Sequence, residues 1–425
     1  MRPLIAPQLI RLHVKLLLFF LPIQSTLLVP SIQGTTAGYA LAYLSVAPCL
    51  LYNGDRQRNA YVFGWISFVT VFSLLVVGSQ VSSVASFHVK LAELNLLDPL
   101  DEKTVVFRKS IFTQTLYLIA NIASFLLFHR FLQRYHYDRV IFAGAILLAI
   151  YGLYETVYFL VFGASGDFLT NRTFGEDEHS GSLHQTIQLG PVVLQRLKSL
   201  TGEPSMYALT ILPYWIYALH SGYNKVSYIL LFSLLLSTST TAFIGIGVYA
   251  IVRFGITVCS RDRIMYRMRN WLIGAAIAVF FVIAFWDIVS DLINQVLVDK
   301  LSSQDASGTE RYDAFVSSIN GFLQLNIGNK LFGCGFGFIR STDLFSTFLF
   351  NIGILGLLAY TALFFIPIFK LSNSYKNVGL KLAIIIAYLV SMVSVPEWSY
   401  LSTWLFLGLG YAHLTEQKLS VSPRN

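Results

Sequence analysis

VSYILLFSLLLSTSTTAFIGIGVYAIVRFGITV, the stretch from Val226 to Val258, decides how this chain folds. Its 33 residues are almost continuously apolar. As one α-helix they would extend about 50 Å at 1.5 Å per residue, well past a hydrocarbon core of about 30 Å even with tilt. The polar run Ser237-Thr238-Ser239-Thr240-Thr241 sits in the middle. A tight turn there converts one impossible span into two short ones and reverses the side on which everything downstream emerges.

The rest of the chain reads the same way. Of 425 residues 55% are hydrophobic and only 12% charged, with a mean hydropathy of +0.63, too little charge to cover a soluble protein of this size. Long apolar runs such as Val140–Tyr154 and Trp271–Trp286 recur. Backbone groups inside lipid must bond internally, so such runs are helices. The expectation is an all-α polytopic membrane protein, one integral-membrane domain over 1–425, with about twelve spans near 14–31, 36–52, 61–81, 111–129, 140–162, 204–220, 226–237, 240–258, 271–287, 345–369, 382–396 and 400–414.

Charge sets the orientation. The formal net charge of +8 does not form one patch, which argues against nucleic acid; the cations lie in short clusters between apolar runs. With the break at 237–241 and both termini inside, 19 of the 30 Lys and Arg fall in cytoplasmic segments, among them Arg130, Arg134, Arg139, Lys225, Arg253, Lys376 and the group Arg261, Arg263, Arg267 and Arg269. That asymmetry is the positive-inside pattern. Without the break the arginine group would flip outward. Arg2, Arg11 and Lys15 precede the first apolar run without a clear small-residue cleavage site, so that run reads as a retained helix. Cys49, Cys259 and Cys334 make neither a disulfide framework nor a metal-ligand spacing, and neither metal nor cofactor is expected.

Three segments on the expected outer side are too long to be mere connections: about 82–110, 163–203 and 288–344. The last carries Ala314, Phe315, Ile319, Phe322, Leu323 and Ile327 at helical spacing. The second runs into span six as Gln195-Arg196-Leu197-Lys198-Ser199-Leu200-Thr201-Gly202-Glu203-Pro204-Ser205, placing two cations and a carboxylate beside a helix start. Pro204 suits the first turn. Such a start can hold an anion; equally, Arg196 and Lys198 can be interfacial anchors and Glu203 a capping acid. The third segment offers Gly308-Thr309-Glu310-Arg311, then Gly333-Cys334-Gly335-Phe336-Gly337-Phe338-Ile339-Arg340, then Asp343 before a span bearing Gly353 and Gly356. Alternating glycines permit either a sharp turn or close backbone approach to a ligand. No strand precedes them, so this is no nucleotide fingerprint. Glu155 falls within span five, where it is either a functional acid or one placed near the hydrated outer end.

Gly202–Ser205, the Gly308–Arg311 spacing, the glycine run 333–337 and an acid ahead of a helix bearing Gly353 and Gly356 resemble the O-antigen polymerase and ligase superfamily. Its members are glycan-transferring membrane enzymes with a large outer loop between late spans, a GT-C-like architecture. An acid at Asp343, where many ligases carry histidine, is polymerase-like. Many relatives also place an arginine in the turn between the paired short spans; here Ser237–Thr241 holds none. The resemblance implies a metal-independent, inverting polymerase of oligosaccharide repeats in lipopolysaccharide or related surface-polysaccharide synthesis. It would work in the bacterial inner membrane, facing the periplasm. Donor and acceptor would be carried on undecaprenyl pyrophosphate, with a chain-length regulator as a further partner. Arg196 and Arg311, with Arg340 and Lys198 as secondary contacts, would hold pyrophosphate, since the guanidinium fork pairs phosphate oxygens. Asp343 or Glu203 would be the general base. The alternatives are a ligase that moves finished glycan to lipid A core and a lipid-linked sugar flippase or other transporter. Transporters usually carry charge midway through several spans. Here charge gathers in two outer loops, which favours an enzyme.

Overall fold

The computed structural model describes residues 7–30, 32, 34–47, 55–91, 94–99, 104–132, 137–169, 171–172, 185–189, 192–259 and 306–421. Over these the chain is mostly helical: α1 Pro7–Phe20, α2 Ala37–Leu44, α3 Asp55–Ser86, α4 Lys109–Phe131 and α5 Asp138–Phe162 come first. A β-hairpin of β1 Thr186–Leu189 and β2 Val192–Gln195 follows, then α6 Pro204–His220, α7 Asn224–Leu236 and α8 Thr240–Cys259. The last elements are α9 Ala306–Gln324, α10 Ile327–Phe332, α11 Leu344–Lys370, α12 Tyr375–Val393 and α13 Leu401–Val421. Among the described residues five helices are long and apolar enough to cross a membrane: Tyr61–Ser86 of α3, with α4, α5, α11 and α12. Phe63, Ile66, Leu74 and Val81 on α3 are more than half exposed, the face a helix presents to hydrocarbon.

The break in the deciding stretch is present. α7 ends at Leu236 and α8 begins at Thr240, with Thr238 between them at φ +42°. Left-handed backbone is uncommon for a β-branched residue and strained. The hydroxyls that make the turn affordable are buried and bonded. Ser237 Oγ donates to Leu234 O at 2.6 Å, and Thr241 Oγ1 pairs with Ser394 Oγ at 2.7 Å.

Elsewhere the expected spans need correction. α1 stops at Phe20 and not near 31, because Pro22 cannot continue the hydrogen-bond ladder. The chain then runs extended, with bridges from Thr26 to Arg172 and from Leu27 to Thr36. α2 covers Ala37–Leu44 of the expected 36–52; after a turn at Ser45 residues 46–47 are helical again, and the remainder of that span lies outside the described residues. α3 continues to Ser86, into the segment read as a loop. The expected span 271–287 and the arginines 261–269 lie outside the described residues. A purely helical reading also missed the hairpin. Ile187 pairs with Leu194 across it, and both bury against Leu236 and Phe243 while Val193 faces out. The helix expected from the pattern at 314–327 is α9, with α10 following.

Helix α11 is broken at Gly353, whose φ +65°, ψ −172° is not helical. The break frees two carbonyls, and the glycine run takes them: Cys334 N–H donates to Phe350 O and Gly335 N–H to Asn351 O, each at 3.0 Å. A Cβ on Gly333 would collide with Asn351 backbone, and one on Gly353 with Leu331 and Gly333 backbone. The Asn351 side chain completes the seam, bonding the backbone N–H and carbonyl of Ile339 at 2.9 Å each. The glycines therefore serve backbone-to-backbone docking within the fold.

All three long segments meet at one end of the bundle. Arg340 N–H donates to Asn95 O, Gln24 N–H to Leu200 O, and Tyr39 Oη to Ser399 O. The opposite end collects Asp138, ion-paired to Lys376 at 2.9 Å and accepting from Tyr217 Oη, together with Arg130, Arg139, Lys225, Arg253, Lys370 and Lys381 at helix ends.

Candidate functional site

The site is built where the break between α7 and α8 meets the second and third long segments. β2 ends at Gln195, so the ladder hands the chain directly to Arg196, whose N–H donates to Gln185 O. Leu197 N–H then caps Leu236 O at the end of α7. This holds the Arg196 guanidinium against the turn. Nε donates to Thr238 Oγ1 at 3.2 Å, Nη2 to Thr238 O at 3.1 Å and Nη1 to Gln185 Oε1 at 2.7 Å. The turn that lacks an arginine of its own thus receives one from the preceding loop.

Arg311 reaches the same place from α9. Its Nη1 donates to Ser394 O at 3.4 Å, and Ser394 is the residue whose hydroxyl holds Thr241. That is the sole side-chain bond Arg311 makes among the described residues, leaving most of its fork free. Burial lowers the Arg196 pKa from its ordinary value; the charge of Glu203 opposes this and the charge of Arg311 adds to it. Arg196 is therefore within electrostatic reach of both Glu203 and Arg311, the latter from a separate stretch of chain.

The two acids differ sharply. Asp343 is a complete N-cap of α11. Its Oδ1 accepts from Ser346 N–H at 2.7 Å, and its Oδ2 accepts from the hydroxyls of Ser346 at 2.6 Å and Ser341 at 3.3 Å. Glu203 stands at the N-cap position of α6 yet makes no cap bond. Ser205 Oγ donates to its Oε2 at 3.1 Å, and among the described residues Oε1 takes none. Arg311 and Asp343 line one cavity of about 460 Å³ whose other walls include Phe315, Phe345, Met392 and Val393. A cation at the mouth of an apolar recess suits a ligand with an anionic head and a greasy tail.

Arg340 and Lys198 are not brought to this cluster. Arg340 pairs with Glu397 and lines a second cavity. Lys198 is 1% exposed and bonded to Asp167 Oδ2 at 3.0 Å; Arg172 Nη2 reaches the same oxygen at 3.3 Å and donates to Ser199 O at 2.6 Å. Glu155 lies buried beside them, within electrostatic reach of Lys198, Asp167 and Arg172. Two acids and two cations balance in a sealed group, and burial still pulls Lys198 below its usual range. This group anchors the stretch that carries Arg196. The sequence reading missed Glu397, Asp167 and Arg172, because none sits at a helix start or beside a glycine run and each acquires meaning only through a partner far along the chain.

No protein-family model, no curated protein and no solved structure matches this chain, so nothing outside its own geometry assigns it to a family.

Proposed function

We propose that the chain is a membrane glycosyltransferase that polymerises lipid-linked oligosaccharide repeats. In this reading it crosses the bacterial inner membrane about twelve times with both termini inside, and the end carrying Arg196, Glu203 and Arg311 faces the periplasm. The observation that carries the reading is the convergence of Arg196 and Arg311 on the break between α7 and α8, with Glu203 within electrostatic reach of Arg196, next to a cavity lined by Arg311, Asp343 and several apolar side chains. Glu203 takes the proton of the acceptor hydroxyl; the oxygen attacks the anomeric carbon of the donor; the bond to undecaprenyl pyrophosphate breaks, and the leaving pyrophosphate keeps the electron pair. Arg311, assisted by Arg196, faces the negative charge that grows on the leaving group, the arrangement that commonly supplies much of catalysis. The lipid tail lies along the apolar walls.

Deletion of the gene followed by gel analysis of surface glycan tests this. Loss of the ladder while a single repeat stays attached supports a polymerase; loss of every attached repeat indicates a ligase or flippase instead. In the complemented strain Arg311→Lys keeps charge but loses the bidentate fork, so the ladder should thin markedly at normal expression. Full ladders from both Arg311→Ala and Arg196→Ala would remove the basis of the reading.

A further inference from the structure

A second cavity, of about 670 Å³, opens at the same end of the bundle and differs in chemistry from the one at Arg311. Its volume is that of small-molecule sites generally. Tyr39, Tyr43, Tyr117, Trp398 and Tyr400 contribute rings from three separate parts of the chain, and Gln114 on α4 adds an amide. Arg340 and Glu397 form an ion pair in its wall, with the arginine side chain 44% exposed and the glutamate 14%. Tyr400 is 5% exposed, and its hydroxyl has no hydrogen-bond partner among the described residues. A buried hydroxyl left without a partner costs about 1–3 kcal/mol unless something satisfies it. Glu203 is near enough for its charge to act on Tyr400, as are Glu397 and Arg340. Tyr400 thus lines this cavity and lies within electrostatic reach of Glu203.

Rings interleaved with a carboxylate, a guanidinium and an amide are what a saccharide requires. The aliphatic faces of a pyranose stack on aromatic rings, and its hydroxyls donate to carboxylates and accept from Arg and amide N–H. A lipid tail would not use this polar wall, where Asp98 and Lys109 line the cavity along with Glu397 and Arg340. We propose that this cavity is a glycan subsite that holds the acceptor saccharide, with Glu397 and Arg340 reading its hydroxyls and the rings of Tyr39, Tyr117 and Tyr400 in its wall. The assignment as acceptor rests on the polymerase reading; the assignment as a saccharide site does not.

The test uses full-length protein purified in lipid nanodiscs. The probe is the lipid-free repeat oligosaccharide released by mild acid from the producing strain's own surface polysaccharide and then reduced. Titration calorimetry should show saturable binding to wild type. Glu397→Gln and Tyr117→Ala should each weaken it at least tenfold, while Arg311→Ala binds within about twofold of wild type. Each variant is first matched to wild type in thermal midpoint; a variant that fails is replaced by Tyr43→Phe or Gln114→Ala, with the same expected direction. Absence of binding to wild type, or equal binding by the cavity variants, overturns the proposal. The two readings fail separately. Saccharide binding that depends on Glu397 in a protein whose deletion leaves the ladder intact keeps the subsite and removes the polymerase. A ladder that depends on Arg311 but is untouched by Glu397→Gln and Tyr117→Ala does the reverse.

Discussion

Asp343 and Glu203 look alike in the sequence: each is an acid one residue before a helix. Their surroundings separate them. Asp343 has both oxygens occupied by the first turn of α11, so an attacking hydroxyl would have to displace a formed cap. Glu203 has one carboxylate oxygen that takes no hydrogen bond among the described residues. In purified protein assayed on lipid-linked repeats, Glu203→Gln should lose something like 10²-fold or more in transfer rate, the usual worth of a positioned base. Asp343→Asn keeps an acceptor toward Ser346 N–H and should stay within a few-fold of wild type, whereas Asp343→Ala loses about 1 kcal/mol of stability with its cap. A near wild-type rate for Glu203→Gln would move the base elsewhere or leave catalysis to the arginines alone.

Among the elements, the turn between α7 and α8 and the break in α11 each spend backbone strain on position. Thr238 carries left-handed φ while its carbonyl and hydroxyl are both held by Arg196. Thr238→Gly relieves that strain, so its thermal midpoint should stay near wild type despite the lost hydroxyl bond. Thr238→Val keeps the strain and removes the acceptor, which should cost about 1–3 kcal/mol. Both should thin the glycan ladder, since both remove the Nε bond and leave Arg196 only its bonds to Thr238 O and Gln185 Oε1; a full ladder from either would show that the hydroxyl bond is not needed. Gly353→Ala places a Cβ against the Leu331 and Gly333 backbone and forces Ala into a left-handed conformation, worth about 1–3 kcal/mol before any clash. Membrane-fraction yield and melting should both fall, and Gly247→Ala in α8, where an added Cβ meets open space, is the control for a harmless glycine substitution. These elements also mark how far the sequence could be read. The break at 237–241 was legible because 33 apolar residues do not fit a bilayer, and α9 was legible from its periodicity. The hairpin was present as alternation around Gly190-Pro191, a weak signal inside a segment judged by its length alone. The purpose of the glycine run was not legible, because its partner carbonyls exist only once α11 is broken. For the same reason Arg196 was found as a cation but not as the arginine of the turn.

At the scale of the whole molecule, the two ends of the bundle have opposite characters among the described residues: one is basic, the other carries the described parts of the three long segments and the two cavities at Arg311 and Arg340. Cysteine labelling in intact cells, on a background lacking Cys49, Cys259 and Cys334, reads which end is outside. Ala164→Cys at the cavity end is exposed and should react with an impermeant reagent; Asn373→Cys at the basic end is equally exposed and should react only after the membrane is permeabilised. Exposure matters here, because a probe at Ser341 beside the glycine run would be silent on either side, being 3% exposed. The reverse labelling pattern would place the cavities in the cytoplasm and end the proposed periplasmic chemistry.

The sealed group of Glu155, Asp167, Arg172 and Lys198 also has a bearing on biogenesis. Its members leave the ribosome in order, the helix acid first and the lysine last, 43 residues later. Until Lys198 emerges, α5 carries a carboxylate that has yet to meet its balancing cation, an expensive thing to leave in lipid. α5 therefore reaches its final packing only with the stretch that carries Asp167, Arg172 and Lys198 laid against it. Arg196 lies two residues from Lys198, so the contact that matches the acid of α5 also fixes the arginine at the turn.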